Sequence, residues 1–335
     1  MRRVLLSLLI AGFASALLFF GAALWWLYEP MTLRPAVGSQ VLDLTIEPGT
    51  SPRGVAEAVV ASGTDTSPLF LYAWFRFSGQ DRQIRAGSYE ITPGTSPRKL
   101  LNILVRGEEA LKSLTFPEGW TFAQVLNALH KAEHLSPDSK GLSPEAIMAQ
   151  IGKPGVHPEG RFFPDTYTYA KGSSDLAVLK RAARAMDQRL EAAWAKRQPD
   201  TPLQSAEQAL VLASIVEKET GKPSDRATIG GVFSNRLKLG MRLQTDPTVI
   251  YGLGSDFDGN LRKRDLLADT PYNTYTRAGL PPTPIAMPGK AALLAAVQPA
   301  KTDAIYFVSR GDGSSQFSAT LDEHNRAVNK YIRGQ

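Results

Sequence analysis

Cysteine is absent from this 335-residue chain, histidine occurs only four times, and a single stretch is long and apolar enough to cross a bilayer. The first absence excludes disulfide frameworks, zinc–thiolate sites and thiol nucleophiles together. The scarcity of histidine leaves one metal-like pattern, His130-Lys131-Ala132-Glu133-His134, which matches the inverted zinc-protease motif with two histidines one helical turn apart. A distant carboxylate could supply a third ligand. A bare five-residue match is nonetheless a weak signal, and this one runs straight into Leu135-Ser136-Pro137, so neither metal nor cofactor is expected. Hydrophobic residues at 43% exclude wholesale disorder, and the length allows roughly two domains at about 150 residues each. The formal charge of +6 suits an anionic surface, polymer or membrane. Nucleic acid, the usual first guess for a basic chain, is argued against by the N-terminus.

Residues 4–28 carry no charge and are almost wholly apolar. As a helix rising about 1.5 Å per residue, they cross a hydrocarbon core of about 30 Å with some tilt. Arg2 and Arg3 precede them, which places the N-terminus in the cytoplasm by the positive-inside rule. Trp25, Trp26 and Tyr28 cluster at the far end, as an aromatic belt would. Ala14-Ser15-Ala16 offers a signal-peptidase site, but the apolar run continues through Leu17, Phe19 and Phe20, past the roughly 7–15 residues of a signal core. The expectation is a retained anchor, with everything after about residue 30 outside the membrane.

A repeat governs the first half. Thr45-Ile46-Glu47-Pro48-Gly49-Thr50-Ser51-Pro52 is echoed by Glu90-Ile91-Thr92-Pro93-Gly94-Thr95-Ser96-Pro97 and, more loosely, by the run from Thr115 to Phe122. Each copy reads as a short strand, a turn at glycine and a helix. Ser51 and Ser96 stand as N-caps ahead of a proline at the first helical position, and Thr121 with Gln124 has capping-box spacing. The segment from Leu44 to Ser51, with Val55-Ala56, resembles the LysM glycan-binding module; a plain α+β scaffold that uses one turn twice is the alternative. A LysM-like subdomain is expected over 40–132, a Ser/Pro/Gly-rich connection over about 133–158, and a second, mixed α/β domain over 155–333. The fold class expected is therefore α+β behind a single transmembrane helix.

The most informative helix is expected at about 205–220, closed by Gly221 and Pro223. At 100° per residue, Leu212, Ile215, Val216 and Glu219 share one stripe, whereas Glu217 falls nearly opposite, near Ser214 and Lys218, where water should reach it. Burial raises a carboxyl pKa, as a general acid near neutral pH requires. The alternative is that Glu219 simply turns outward at the last turn. Three loop-like runs combine aromatic rings with amides and hydroxyls, a chemistry suited to a sugar polymer. They supply the candidate binding residues Glu159, Gln244, Thr245, Asp246, Tyr251, Tyr272, Asn273 and Tyr275. Turn chemistry alone is the alternative for any one residue of the downstream runs, and a hydrophobic plug under a turn for the run that carries Glu159. Arg310-Gly311-Asp312 followed by Gly313-Ser314 reads as a hairpin turn.

Together these segments resemble the membrane-anchored endolytic murein transglycosylases, the YceG-like family. The resemblance spans essentially the whole chain. It rests on Glu159-Gly160 through Asp165-Thr166-Tyr167, Ala213 through Thr220, Arg242-Leu243-Gln244-Thr245-Asp246-Pro247, Tyr272-Asn273-Thr274-Tyr275, Gly279-Leu280-Pro281-Pro282 and His324-Asn325. It implies a lyase of the cell inner membrane, with its catalytic domain in the periplasm. That lyase cuts nascent peptidoglycan strands between MurNAc and GlcNAc, leaves 1,6-anhydro-MurNAc ends and limits strand elongation. The catalytic glutamate falls on Glu217-Lys218-Glu219-Thr220. Glu219 is assigned, being on the apolar stripe and followed by Thr220, similar to the Glu-Ser pair of other lytic transglycosylases. The implied partners are glycan strands, the inner membrane and peptidoglycan synthases. A non-catalytic peptidoglycan-binding scaffold and a hydrolytic muramidase are the competing functions. For the anchor, N-terminal sequencing of membrane-extracted protein is expected to begin at the first residues; a start near residue 17 would mean cleavage.

Overall fold

Both clear copies of the Gly-Thr-Ser-Pro turn fold alike. Gly49 and Gly94 take the left-handed conformation, at φ 86° and 85°. Ser51 and Ser96 then accept the backbone N–H of Gly54 and Lys99, capping helices that start on proline. The computed structural model describes residues 2–34, 41–108 and 111–334. Its architecture is α+β, with helices and two-stranded sheets, and it divides into two units.

The first unit comprises Met1–Lys112 with Ala170–Gly172. Its elements are α1 (Arg2–Tyr28), β1 (Thr32–Leu33), β2 (Leu42–Ile46), α2 (Pro52–Ala61), β3 (Thr64–Asp65), α3 (Pro68–Phe77), β4 (Gly87–Ile91) and α4 (Pro97–Arg106). The strands of the two repeat copies pair with each other: β2 and β4 run antiparallel, from Leu42 opposite Ile91 to Ile46 opposite Gly87. Alternation along β2 sends Leu42, Leu44 and Ile46 inward to meet Val55, Val59, Leu71, Phe75, Leu100 and Leu104.

The second unit comprises Ser113–Tyr169 and Ser173–Gln335. The third copy of the turn belongs here. It follows β5 (Leu111–Thr115) and leads into α5 (Phe122–Lys131), which starts on the anticipated Thr121/Gln124 capping box. Phe116, Phe122, Val125 and Leu129 join a core with Phe162, Val178 and Leu179, so residues 113–132, read from sequence with the first half, pack in the second. The stretch read as a connection carries α6 (Pro144–Gln150), whose Ile147 and Met148 enter the same core; Ser143-Pro144 was its start signal. Helix α5 ends at Lys131 and His134 sits at φ 61°, so the two histidines of the metal-like pattern do not share a helical face.

Next come β6 (Thr166–Ala170), α7 (Asp175–Trp194), α8 (Ala206–Glu219), α9 (Pro223–Lys238), α10 (Asp246–Leu253), α11 (Lys263–Leu267), α12 (Lys290–Val297), β7 (Tyr306–Ser309), β8 (Ser315–Ser318) and α13 (Leu321–Val328). β7 and β8 form the expected hairpin, closed by Arg310 N–H donating to Ser314 O. Helix α8 is the centre. Every residue from Ala209 to Val216 is buried, so it is not the amphipathic helix a single stripe implied but one enclosed on all sides. Its neighbours approach closely: a Cβ added at Gly230 of α9 would lie 2.3 Å from the carbonyl oxygen of Ala295 in α12. Gly230→Ala tests this spacing. Helix propensity alone would gain about 1 kcal/mol, but a clash with backbone cannot be relieved by a rotamer change. A net loss of about 1–3 kcal/mol is expected, read as a lower urea midpoint.

Candidate active site

Glu219 is the last residue of α8. Thr220 leaves the helix in an extended conformation, φ −147° and ψ 133°, and its Oγ1 accepts the N–H of Lys222 just before α9 begins. The Glu219 side chain therefore meets the negative end of the helix dipole, which disfavours a carboxylate. Thr245 Oγ1 donates to Glu219 Oε1. Burial pushes the Glu219 pKa up to about 7, helped by the Asp246 charge, while the Thr245 hydrogen bond and the Arg236 charge pull it back. The residue opens onto a cavity of about 400 Å³ whose far wall is the β7–β8 hairpin, with Phe307, Ser309 and Ser314 among its lining residues.

Thr245 is itself held rigidly. Its N–H donates to Thr274 Oγ1 at 3.1 Å, its carbonyl accepts Thr248 Oγ1 at 2.8 Å, and the Thr248 and Thr274 hydroxyls are 2.9 Å apart. Gln244 precedes it at φ 49°, its N–H donating to Thr274 O. Tyr275 donates its hydroxyl to Asp246 Oδ1 at 2.5 Å, and Arg242 Nη1 donates to Tyr275 O. Gln244, Thr245, Asp246 and Tyr275 thus gather around Glu219.

A second group forms around Glu159. Its Oε1 accepts the N–H of Phe122, the first residue of α5, and its Oε2 accepts the Tyr251 hydroxyl at 3.1 Å. Glu159 is buried, and that burial lifts its pKa to about 7 against both hydrogen bonds. Tyr251 meets Tyr272 edge-on at 4.9 Å, and the Tyr272 hydroxyl lies 2.7 Å from Thr283 Oγ1. Helix α10 links the groups, Asp246 at its start belonging to the first and Tyr251 to the second. Asn273 belongs to neither. It is fully buried, its side-chain nitrogen faces the carbonyls of Asp265, Leu266 and Ala268, and its Oδ1 accepts the Tyr275 N–H. It shapes the loop that presents Tyr275.

Glu217 departs from the sequence reading. It does not face water: its side chain is 5% exposed, Oε2 accepts the N–H of Gly289, the N-cap of α12, at 2.9 Å, and Oε1 lies 3.4 Å from Arg226 Nη2. The helical wheel put it on an open side because α8 was taken to have one, and the fully buried Ser214 shows that it has none. Burial raises the Glu217 pKa as well. Yet its oxygens are spent on a helix N-terminus and a guanidinium, a structural arrangement. Sequence reasoning also passed over Arg236. This buried α9 residue donates from Nε to Ile305 O and from Nη1 to Leu243 O, both at 2.6 Å, which ties β7 to the segment carrying Thr245. Its signal was present: Ile229, Val232, Phe233 and Arg236 share one helical stripe, an arginine on an apolar face.

The sequence profile described as the YceG-like family matches residues 44–330. A Bacillus subtilis (strain 168) protein named endolytic murein transglycosylase is 30% identical over 327 residues, 92% of this chain and 90% of that protein. A Streptococcus pneumoniae (serotype 2) protein of the same name is 27% identical over 287 residues, 75% of this chain and 51% of its own length. The 2.6 Å crystal structure of a YceG-like protein from Listeria monocytogenes superposes with a TM-score of 0.54 at 28% identity, covering 86% of this chain and 99% of that one.

The two glutamates of α8 can be told apart by stability. Glu217→Gln leaves the Arg226 guanidinium without its counter-charge, so a loss of about 1–3 kcal/mol is expected, seen in urea unfolding. Activity per folded molecule should persist.

Proposed function

The chain belongs to the YceG-like family, and from that premise we propose that it is an endolytic peptidoglycan lytic transglycosylase with Glu219 as its catalytic residue. One observation carries the assignment: Glu219 combines a pKa of about 7 with an open cavity in front of it. Glu159 has a similar pKa, but Tyr251 and Phe122 occupy both of its oxygens.

A carboxyl near half-protonation can give a proton and then take one at neutral pH. In the first step Glu219 protonates the glycosidic oxygen between MurNAc and GlcNAc as the bond to the anomeric carbon breaks. In the second, the resulting carboxylate takes the proton of the muramic acid 6-hydroxyl as that oxygen attacks the anomeric carbon. The product carries a 1,6-anhydro end, no water is consumed, and the single carboxyl returns to its starting state. This differs from the two-carboxylate glycosidase scheme. Cutting nascent strands internally in this way limits their elongation.

Thr245 orients the carboxyl, and Arg236 holds the segment that carries Thr245. The exposed Gln244 and Asp246 and the half-buried Tyr251, Tyr272 and Tyr275 are the groups we assign to glycan contact, with Glu159 and Asn273 supporting them. The repeat copies of the first unit, β2 with α2 and β4 with α4, lie within the 40–132 segment read as LysM-like and are assigned to holding glycan without cutting it. Helix α1, with a mean hydropathy of 1.9 over Ile10–Tyr28, serves as a single-pass inner-membrane anchor, its N-terminus cytoplasmic and the catalytic unit periplasmic. Peptidoglycan synthases are the partners this placement suits.

Mass spectrometry of products from purified sacculi is the test: anhydro ends support the lyase, new reducing ends mean a muramidase, and no cleavage means a scaffold. Glu219→Gln should cost at least about 10²–10⁴-fold in rate with folding and glycan binding intact. Because the first step needs the protonated acid, wild-type turnover should fall as pH rises through about 7.

A further inference from the structure

Helix α3 presents two apolar faces. Leu71 and Phe75 point into the first unit's core, with Tyr72 and Trp74 packed at its edges, whereas Leu69, Phe70, Ala73 and Phe77 fall on the opposite arc. On that arc Phe77 is 89% exposed, Leu69 67% and Phe70 59%. Three large exposed side chains on one short helix form a patch that a water-facing surface rarely tolerates.

The position of this face along α1 identifies what covers it. Phe70 meets Trp26 edge-on at 6.0 Å. Phe70, Ala73, Trp74 and Phe77 line a cavity of about 470 Å³ together with α1 residues from Phe19 to Leu27. At about 1.5 Å per residue, Phe19 lies about 13 Å below Tyr28, where α1 ends. Whatever flanks α1 between those residues lies at the depth of the leaflet from which α1 emerges. An interfacial helix sinks about 5–10 Å into the headgroup and acyl boundary, a matching depth. Above this level the chemistry turns cationic: the Arg98 guanidinium stands over the Tyr28 ring at 4.9 Å from its centroid. That places a cationic side chain at the level of the lipid phosphates, where long basic residues settle at a membrane interface.

We propose that α3 is a second membrane contact, seated in the lipid of the leaflet from which α1 emerges, with an acyl chain filling the groove between the two helices. The proposal rests on the reading of α1 as a spanning anchor. It makes the first unit a body fixed to the bilayer at two places rather than one swinging from a single helix.

The natural absence of cysteine permits a direct test. Single variants Phe77→Cys, Leu69→Cys, Leu18→Cys and Glu57→Cys are made in the full chain, labelled with a nitroxide and reconstituted into phosphatidylethanolamine–phosphatidylglycerol vesicles. Collision rates with oxygen and with a water-soluble nickel chelate are then compared. Leu18, on α1 and 75% exposed, reports lipid if the anchor spans; Glu57, on the surface of α2, reports water. The Phe77 and Leu69 labels are expected to follow Leu18, with an oxygen-to-nickel ratio several-fold above that at Glu57. If both follow Glu57 while Leu18 stays in lipid, the inference is overturned and the anchor stands. If Leu18 also reports water, the anchor reading falls and the inference with it. Labels at Phe77 shielded from both reagents, or broadened by a label on a second copy, would show protein covering the face and would likewise overturn it.

Discussion

The second unit depends on how α8 is buried and where it stops. With Ala209 to Val216 enclosed on all sides, the helix has no freedom to rotate or slide without opening the core. Its last turn projects two carboxylates in different directions. One is consumed in fixing the helix, as Glu217 receives the N–H that opens α12 and faces Arg226. The other is left to be aimed, and Thr245 aims it. The two carboxyls thus divide the work: Glu217 contributes to the stability of the helix end, and the placement of the Glu219 side chain falls to Thr245.

A hierarchy of support lies behind Thr245. Thr248 and Thr274 hold its backbone, Arg236 holds the carbonyl of Leu243, and Asn273 shapes the loop that brings Tyr275 to Asp246. Nearly all of these groups are buried and their hydrogen-bonding capacity is turned inward, so few rotamers remain open to them. Preorganisation of this kind lets a weak acid work without being rearranged at the moment of reaction.

Much of this was legible in the sequence, and the reasons are local. Caps at Ser51, Ser96 and Thr121 are short-range hydrogen-bond chemistry and came out where the spacing put them. The long family-like motifs pointed to the segment carrying Glu219. What failed was long-range. A helical wheel assumes that one side of a helix faces water, and α8 has no such side, so Glu217 was misplaced. The third turn copy looked like its sisters, but its side chains are complementary to Phe162 and Val178 rather than to Leu100, and no local pattern encodes that choice. Arg236 was missed because a charged residue on an apolar stripe looks like noise until the carbonyls it reaches are known.

The hydrogen bond from Thr245 occupies Oε1 of Glu219, and Oε2 has no such partner among the described residues. A single free oxygen, on a side chain pinned at one end by its helix and at the other by a hydroxyl, has almost no arc to sweep. The lytic cleavage proposed for Glu219 nevertheless asks it to reach two different atoms in turn, first the bridging oxygen and then the 6-hydroxyl. The travelling must therefore fall to the sugar. Under the role proposed for Glu219, the muramic acid ring has to pucker between the two proton transfers and tip its hydroxymethyl arm toward a stationary carboxylate.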